Sequence, residues 1–90
     1  MKIKSNYVLQ EIGDEYLVVP IAEEADRLHG VIRLNETGAF LWRCLEEGNF
    51  KTISDLKTVI IREYGISEIR AYQDVSSFIS QLEKLGCIEE

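Results

Sequence analysis

The stretch Leu34-Asn35-Glu36-Thr37-Gly38-Ala39-Phe40-Leu41-Trp42 constrains the fold more than any other part of this chain. On its N-terminal side Gly30-Val31-Ile32-Arg33-Leu34 reads as a strand, and Asn35 is a preferred N-cap whose side chain accepts from backbone N–H groups of the first helical turn. From Glu36 to Glu47, Gly38, Leu41, Trp42 and Leu45 recur at the i, i+3, i+4, i+7 spacing of a buried helical face, and Gly48 stops the helix. A strand therefore turns into a helix with no loop.

Upstream, Tyr7 to Ile12 and Glu15 to Val19 are rich in β-branched and aromatic residues and are separated by Gly13-Asp14. A Gly-first two-residue loop supplies the positive φ of a II′ turn, which predicts a hairpin. Pro20 has no ladder donor and marks the end of the second strand or an edge position. Ile21 to His29 is an acidic connection with room for a helical turn, leading to the third strand at Gly30. Three consecutive strands imply an antiparallel meander.

Two further helices follow. Thr52 with Asp55 three residues on approximates a capping box, and Ile53, Leu56, Val59, Ile60 and Tyr64 keep helical spacing up to Gly65. Ser67 caps the last helix, whose stripe of Tyr72, Val75, Phe78, Ile79, Leu82 and Leu85 runs to Gly86, with Ile88 placed to pack back on the body. A small sheet followed by three helices needs those helices on one of its faces. The expected fold is α+β and winged-helix-like: a three-stranded antiparallel sheet followed by three helices, one domain over residues 1–90.

A chain of 90 residues buries only about 60–65% of the surface it exposes unfolded. With 46% hydrophobic and 29% charged residues it has the balance of a folded domain rather than of a disordered one. No apolar run approaches the ~20 residues of a membrane span, and Met1 to Asn6 has two lysines without an apolar segment behind them. No membrane partner is expected, and the expected location is the cytoplasm. Cys44 and Cys87 lie far apart without metal-ligand spacing and read as reduced thiols, a disulfide being left open; no metal and no cofactor are expected. A net charge of −6 opposes a nucleic-acid partner, because that affinity comes from Lys and Arg neutralising phosphates.

In a meander the third strand is an edge, with a row of backbone groups from His29 to Leu34 left available. Edges that proteins guard carry charges or proline, yet between Gly30 and Leu34 only Arg33 is charged. At this point the residues carry a family likeness. The opening hairpin, then Gly30, Ile32, Leu34 to Ala39, Leu41 and Trp42, the Glu47-Gly48 and Tyr64-Gly65 stops, and Asp74-Val75 with Phe78, Ile79, Leu82 and Leu85 to Ile88 together resemble the PqqD-like family. Members of that family, also called RiPP recognition elements, are small winged-helix modules without a catalytic site. They bind the leader segment of a ribosomally made precursor peptide and present it to a modifying enzyme, often a radical-SAM protein.

The resemblance implies that a leader peptide adds as a strand along the third β-strand, its side chains entering a groove walled by the third helix. Carried onto this chain, the peptide-binding edge is His29, Gly30, Val31, Ile32, Arg33 and Leu34, and the groove wall comes from Asp74, Val75, Phe78, Gln81, Leu82 and Leu85. Period two sends Ile32 and Leu34 to the core face and leaves Arg33 to meet a peptide carboxylate, with Asp74 available to a basic residue. For the apolar members of the helix the alternative is plain core packing, and for Asp74 a solvated side chain or a local cap. Glu23, Glu24 and Asp26, or Glu46 and Glu47, are candidate contacts for a basic partner enzyme. An edge strand also permits a homodimer closed through the third strands.

Two other classes fit less well. A winged helix that reads DNA would place its third helix in the major groove, but Glu68, Arg70, Asp74, Glu83 and Lys84 form no basic stripe there. An enzyme would need chemistry that is missing. His29, the sole histidine, has no nucleophile or carboxylate at useful spacing and reads as a turn residue, so no catalytic residue is expected.

Overall fold

In the computed structural model, which describes residues 1–4, 6–21, 31–50 and 52–89, the expected order of strands and helices holds. Strands β2 (Tyr7–Ile12), β3 (Glu15–Pro20) and β4 (Ile32–Leu34) form one antiparallel sheet with β3 in the middle. Helices α1 (Glu36–Glu47), α2 (Ile53–Tyr64) and α3 (Glu68–Leu85) follow. The β2–β3 turn has Gly13 at φ 60°, as a Gly-first turn requires, and among the described residues no non-glycine residue has positive φ. Pro20 ends β3 opposite Tyr7, next to the Asn6–Ile21 hydrogen bond, where its missing donor takes nothing from the β2–β3 ladder.

Register decides which side of the sheet is core. Leu9, Val18 and Ile32 lie side by side, as do Tyr16 and Leu34, and this face packs against the helices. Val18 is fully buried and Leu34 nearly so. Val8, Leu17, Val19 and Arg33 alternate onto the opposite face. Leu41, Trp42, Leu56, Ile60, Val75 and Leu82, all with no exposed surface, form the core between the helices and under the sheet; α1 and α3 lie against β4, and α2 packs on the other two helices. Phe40 and Tyr64 join α1 to α2 edge to face at 5.5 Å, and the Arg43 guanidinium stands over the Tyr16 ring at 5.7 Å.

The caps are those the sequence predicts. Asn35 Oδ1 accepts the Gly38 N–H at 2.8 Å, Thr52 and Asp55 form a reciprocal box at 3.0 and 3.2 Å, and Ser67 accepts from Arg70 at 3.1 Å. Gly38 has a second reason to lack a side chain. A Cβ there would stand 3.1 Å from Asn35 Oδ1 and 3.2 Å from Leu34 Cβ, because the strand enters the helix without a spacer.

Three expectations need correction. The third strand is three residues long, not five: Val31 precedes it, and Gly30 and His29 lie outside the described residues together with most of the acidic connection from Ile21. Ile53 and Tyr72 are 43% and 59% exposed, so the buried stripe of α2 begins at Leu56 and that of α3 at Ala71. Tyr72 turns out of the core to receive the Lys57 ammonium over its ring at 5.9 Å. The sequence reading also lacks a second sheet, in which β1 (Lys2–Ile3) pairs antiparallel with β5 (Ile88–Glu89), extended by Lys4 N–H donating to the Cys87 carbonyl at 2.8 Å.

Both cysteines are buried free thiols. Desolvation pushes the Cys87 thiol up from its ordinary 9.0 to about 11, against smaller lowering effects from a backbone hydrogen bond and Lys4. A group that holds its proton more tightly when folded stabilises the fold fully below its unfolded pKa and loses that contribution as pH rises through the folded one. Chemical unfolding should therefore show stability falling between pH 9.0 and about 11, and Cys87→Ala should flatten that decline. Trp42→Ala should cost about 3–5 kcal/mol in the same assay, whereas Ile53→Ala should stay within about 1 kcal/mol of the parent.

Candidate functional site

The strand β4 has a hydrogen-bonded neighbour, β3, on one side, and among the described residues no strand pairs with its other side. Its short reach follows from its ends. The chain leaves the sheet at Asn35, whose extended backbone (φ −80°, ψ −178°) already serves as the cap of α1. Along it Val31 is 48% exposed, Ile32 is half-buried toward the core and Leu34 is 4% exposed. Arg33 points to the opposite face and pairs with Glu15 at 3.3 Å, both side chains well exposed. That pair reaches across to the neighbouring strand, so Arg33 enters the site already engaged by a weak surface contact.

Helix α3 lies against β4 and against α1 and α2. Successive residues turn by about 100°, which gathers Ala71, Val75, Phe78, Leu82 and Leu85 into one buried stripe. On one flank Glu68 and Tyr72 reach Lys57 of α2, the carboxylate at 3.3 Å. The flank turned away from α2 carries Asp74 and Gln81, both half-buried. The Asp74 side chain is only 17% exposed and receives the Arg70 Nε–H at 3.2 and 3.3 Å from its two oxygens.

The predicted groove wall thus divides in two. Val75, Phe78, Leu82 and Leu85, with 0, 2, 0 and 8% exposure, are core residues here and offer no open surface, because their stripe is what holds α3 to the sheet and the other helices. Asp74 and Gln81 are the predicted residues that keep access to solvent. Arg70 was not among the expected site residues. Its signal is present in the sequence as an i, i+4 partner of Asp74, and the ion pair gives that carboxylate a partner different from the solvent or local cap weighed as the alternative to a peptide contact.

A hollow of about 700 Å³, lined by none of these residues, lies between residues 1–4, Tyr7 and Val8 of β2, and the end of α1 with Phe50. Among the described residues no cluster of His, Cys, Asp or Glu is arranged to hold a metal ion, and no helix is long and apolar enough to cross a membrane.

Comparison with known proteins decides the family. The family model described as coenzyme PQQ synthesis protein D (PqqD) matches residues 7–88. The chain belongs to the PqqD family. No curated protein matches it. A solved structure of TbiB1 in complex with the TbiA(beta) leader peptide is similar at a TM-score of 0.72 and 25% sequence identity, over 99% of this chain and 95% of that one. The PqqD match runs from the first residue of β2 to the first residue of β5 and so includes both β4 and α3.

Because Arg33 and Asp74 take part in ion pairs with exposed partners, each pair contributes little to stability. Arg33→Ala and Asp74→Asn should each change the unfolding free energy by less than about 1 kcal/mol, measured by urea titration.

Proposed function

We propose that this PqqD-family protein is a non-catalytic RiPP recognition element, which takes the leader segment of a ribosomally made precursor peptide as an added strand on β4 and presents it to a modifying enzyme such as a radical-SAM maturase. The observation that carries the reading is the one-sided pairing of β4 among the described residues, beside a helix flank with accessible polar groups. Strand addition draws its affinity from main-chain hydrogen bonds, which an edge supplies without regard to side chain, and its selectivity from the surface alongside. The likeness to TbiB1, a protein solved with a leader peptide bound, supports this over nearly the whole chain.

On this reading the peptide runs along His29 to Leu34, with Val31 and Arg33 at its border and Asp74 and Gln81 selecting its side chains. Val75, Phe78, Leu82 and Leu85 act from beneath, setting the height and angle of the flank rather than touching solvent. The Arg70–Asp74 pair contributes a fixed dipole of charge at the rim, where a basic peptide residue competes with Arg70 for the carboxylate. The same edge could close a homodimer, in which case dimer and peptide exclude each other. The work of such an adaptor belongs in the cytoplasm, with the precursor and its enzyme.

The test is a titration of the candidate leader encoded beside a maturase gene into isotopically labelled protein. Amide shifts should concentrate at residues 31–34 and along α3 between Arg70 and Gln81. Val31→Pro, which removes a donor and stiffens the strand entry, should weaken binding at least about tenfold with the fold intact. Shifts confined to other surfaces, with unchanged affinity in the proline variant, would overturn the assignment. Phe78→Ala is a poor probe of the groove, since loss of a buried phenylalanine costs about 3–5 kcal/mol of stability by itself.

A further inference from the structure

We propose that the open edge of β1 and the hollow beside it form a second strand-addition site, which takes an extended segment of another protein that carries an apolar anchor next to acidic side chains. This goes beyond the β4 reading and does not rest on it. The hollow, about 700 Å³, has the size of a ligand site, and four consecutive residues, Met1 to Lys4, form one wall. Neighbouring residues of a strand point to opposite faces. When all of them line one space, that space adjoins the strand's edge and not merely one of its faces.

The ladder says which edge. Lys4 N–H donates to the Cys87 carbonyl, and the register continues as Ile3 opposite Ile88 and Lys2 opposite Glu89. Hydrogen-bonded and non-hydrogen-bonded pairs alternate in an antiparallel ladder, so the N–H and C=O of Ile3 point away from β5. Among the described residues no other strand pairs with β1. A backbone donor and acceptor therefore border the hollow, ready for a guest chain.

The lining states what the guest is like. Leu45 and Phe50 give the hollow an apolar far wall, suited to one large side chain. Lys2 and Lys4, two apart on the strand, lie on the same face, and no acid stands within ion-pair distance of either among the described residues. Among the described lining residues Glu46 is the one acid, against two lysines, and Glu89 stands opposite Lys2 in the ladder. In a chain of net charge −6 a stretch with two lysines outside any ion pair among the described residues departs from the acidic surface around it, and it favours an acidic partner. An open backbone edge favours a polypeptide over a lipid or a free carboxylate, neither of which can use it.

The probe is a displayed library of short random peptides, selected on the full chain. Selected clones should combine Asp or Glu with an aromatic or large aliphatic residue and shift the amides of residues 2–4, 45 and 50. Their dissociation constants should rise at least about tenfold in the Lys2→Glu/Lys4→Glu variant and in Ile3→Pro, which deletes the outward donor while leaving the β5 ladder, and should be unchanged in Val31→Pro. Clones lost in Val31→Pro but indifferent to lysine reversal would leave the β4 reading standing and overturn this one. Displacement of the clones by micromolar dodecanoate, itself insensitive to Ile3→Pro, would make the hollow a lipid site and also overturn the proposal.

Discussion

The junction between β4 and α1 constrains the rest of this fold, and it is held at Asn35, whose carboxamide oxygen accepts from the Gly38 N–H and the Thr37 hydroxyl. The cap lets β4 pass into α1 with no intervening residue beyond Asn35 itself. Because the turn is so tight, Leu34 and Asn35 crowd Gly38, and this third helical position has no room for a side chain without local shifts. The same junction ends the edge strand. What remains of β4 is short, and its side chains are committed by alternation, with Ile32 and Leu34 inward and Arg33 outward. Side-chain identity along such a strand is largely used up by the fold, which leaves the backbone as the group with capacity to spare.

That division explains why α3 serves two purposes with different residues. Its apolar stripe is so well matched to the core that Val75 and Leu82 have no exposed surface at all. A residue that packed is not free to choose ligands. The part of α3 that keeps access to solvent is the flank turned away from α2, where Asp74, Arg70 and Gln81 sit at the border of core and solvent.

Among the described residues each sheet has two strands paired on one side only, β2 and β4 in one and β1 and β5 in the other, and β4 and β1 belong to different sheets. As proposed, a peptide on β4 and a guest on β1 do not compete for the same backbone groups. The charge distribution is consistent with it. The Lys2 and Lys4 pair stands apart from the Arg70–Asp74 pair, so the two edges present different electrostatic surfaces on one small chain.

The sequence alone determined the local elements, because their signals act over a few residues: Asn35, Thr52 and Ser67 as caps, Gly48, Gly65 and Gly86 as left-handed stops, Gly13-Asp14 as a turn, and the period of α1. It also carried enough of a family pattern to point to β4 and α3. The tertiary structure decided where the buried stripes of α2 and α3 begin. Tyr72 and Ala71 are adjacent on α3, yet one is exposed and the other buried: the turn of about 100° between them carries Tyr72 off the covered face, where Lys57 of a different helix stands over its ring. The β1–β5 ladder likewise joins two-residue segments more than eighty positions apart. No periodicity can be read in two residues, and the pairing exists only because the finished core brings those ends together.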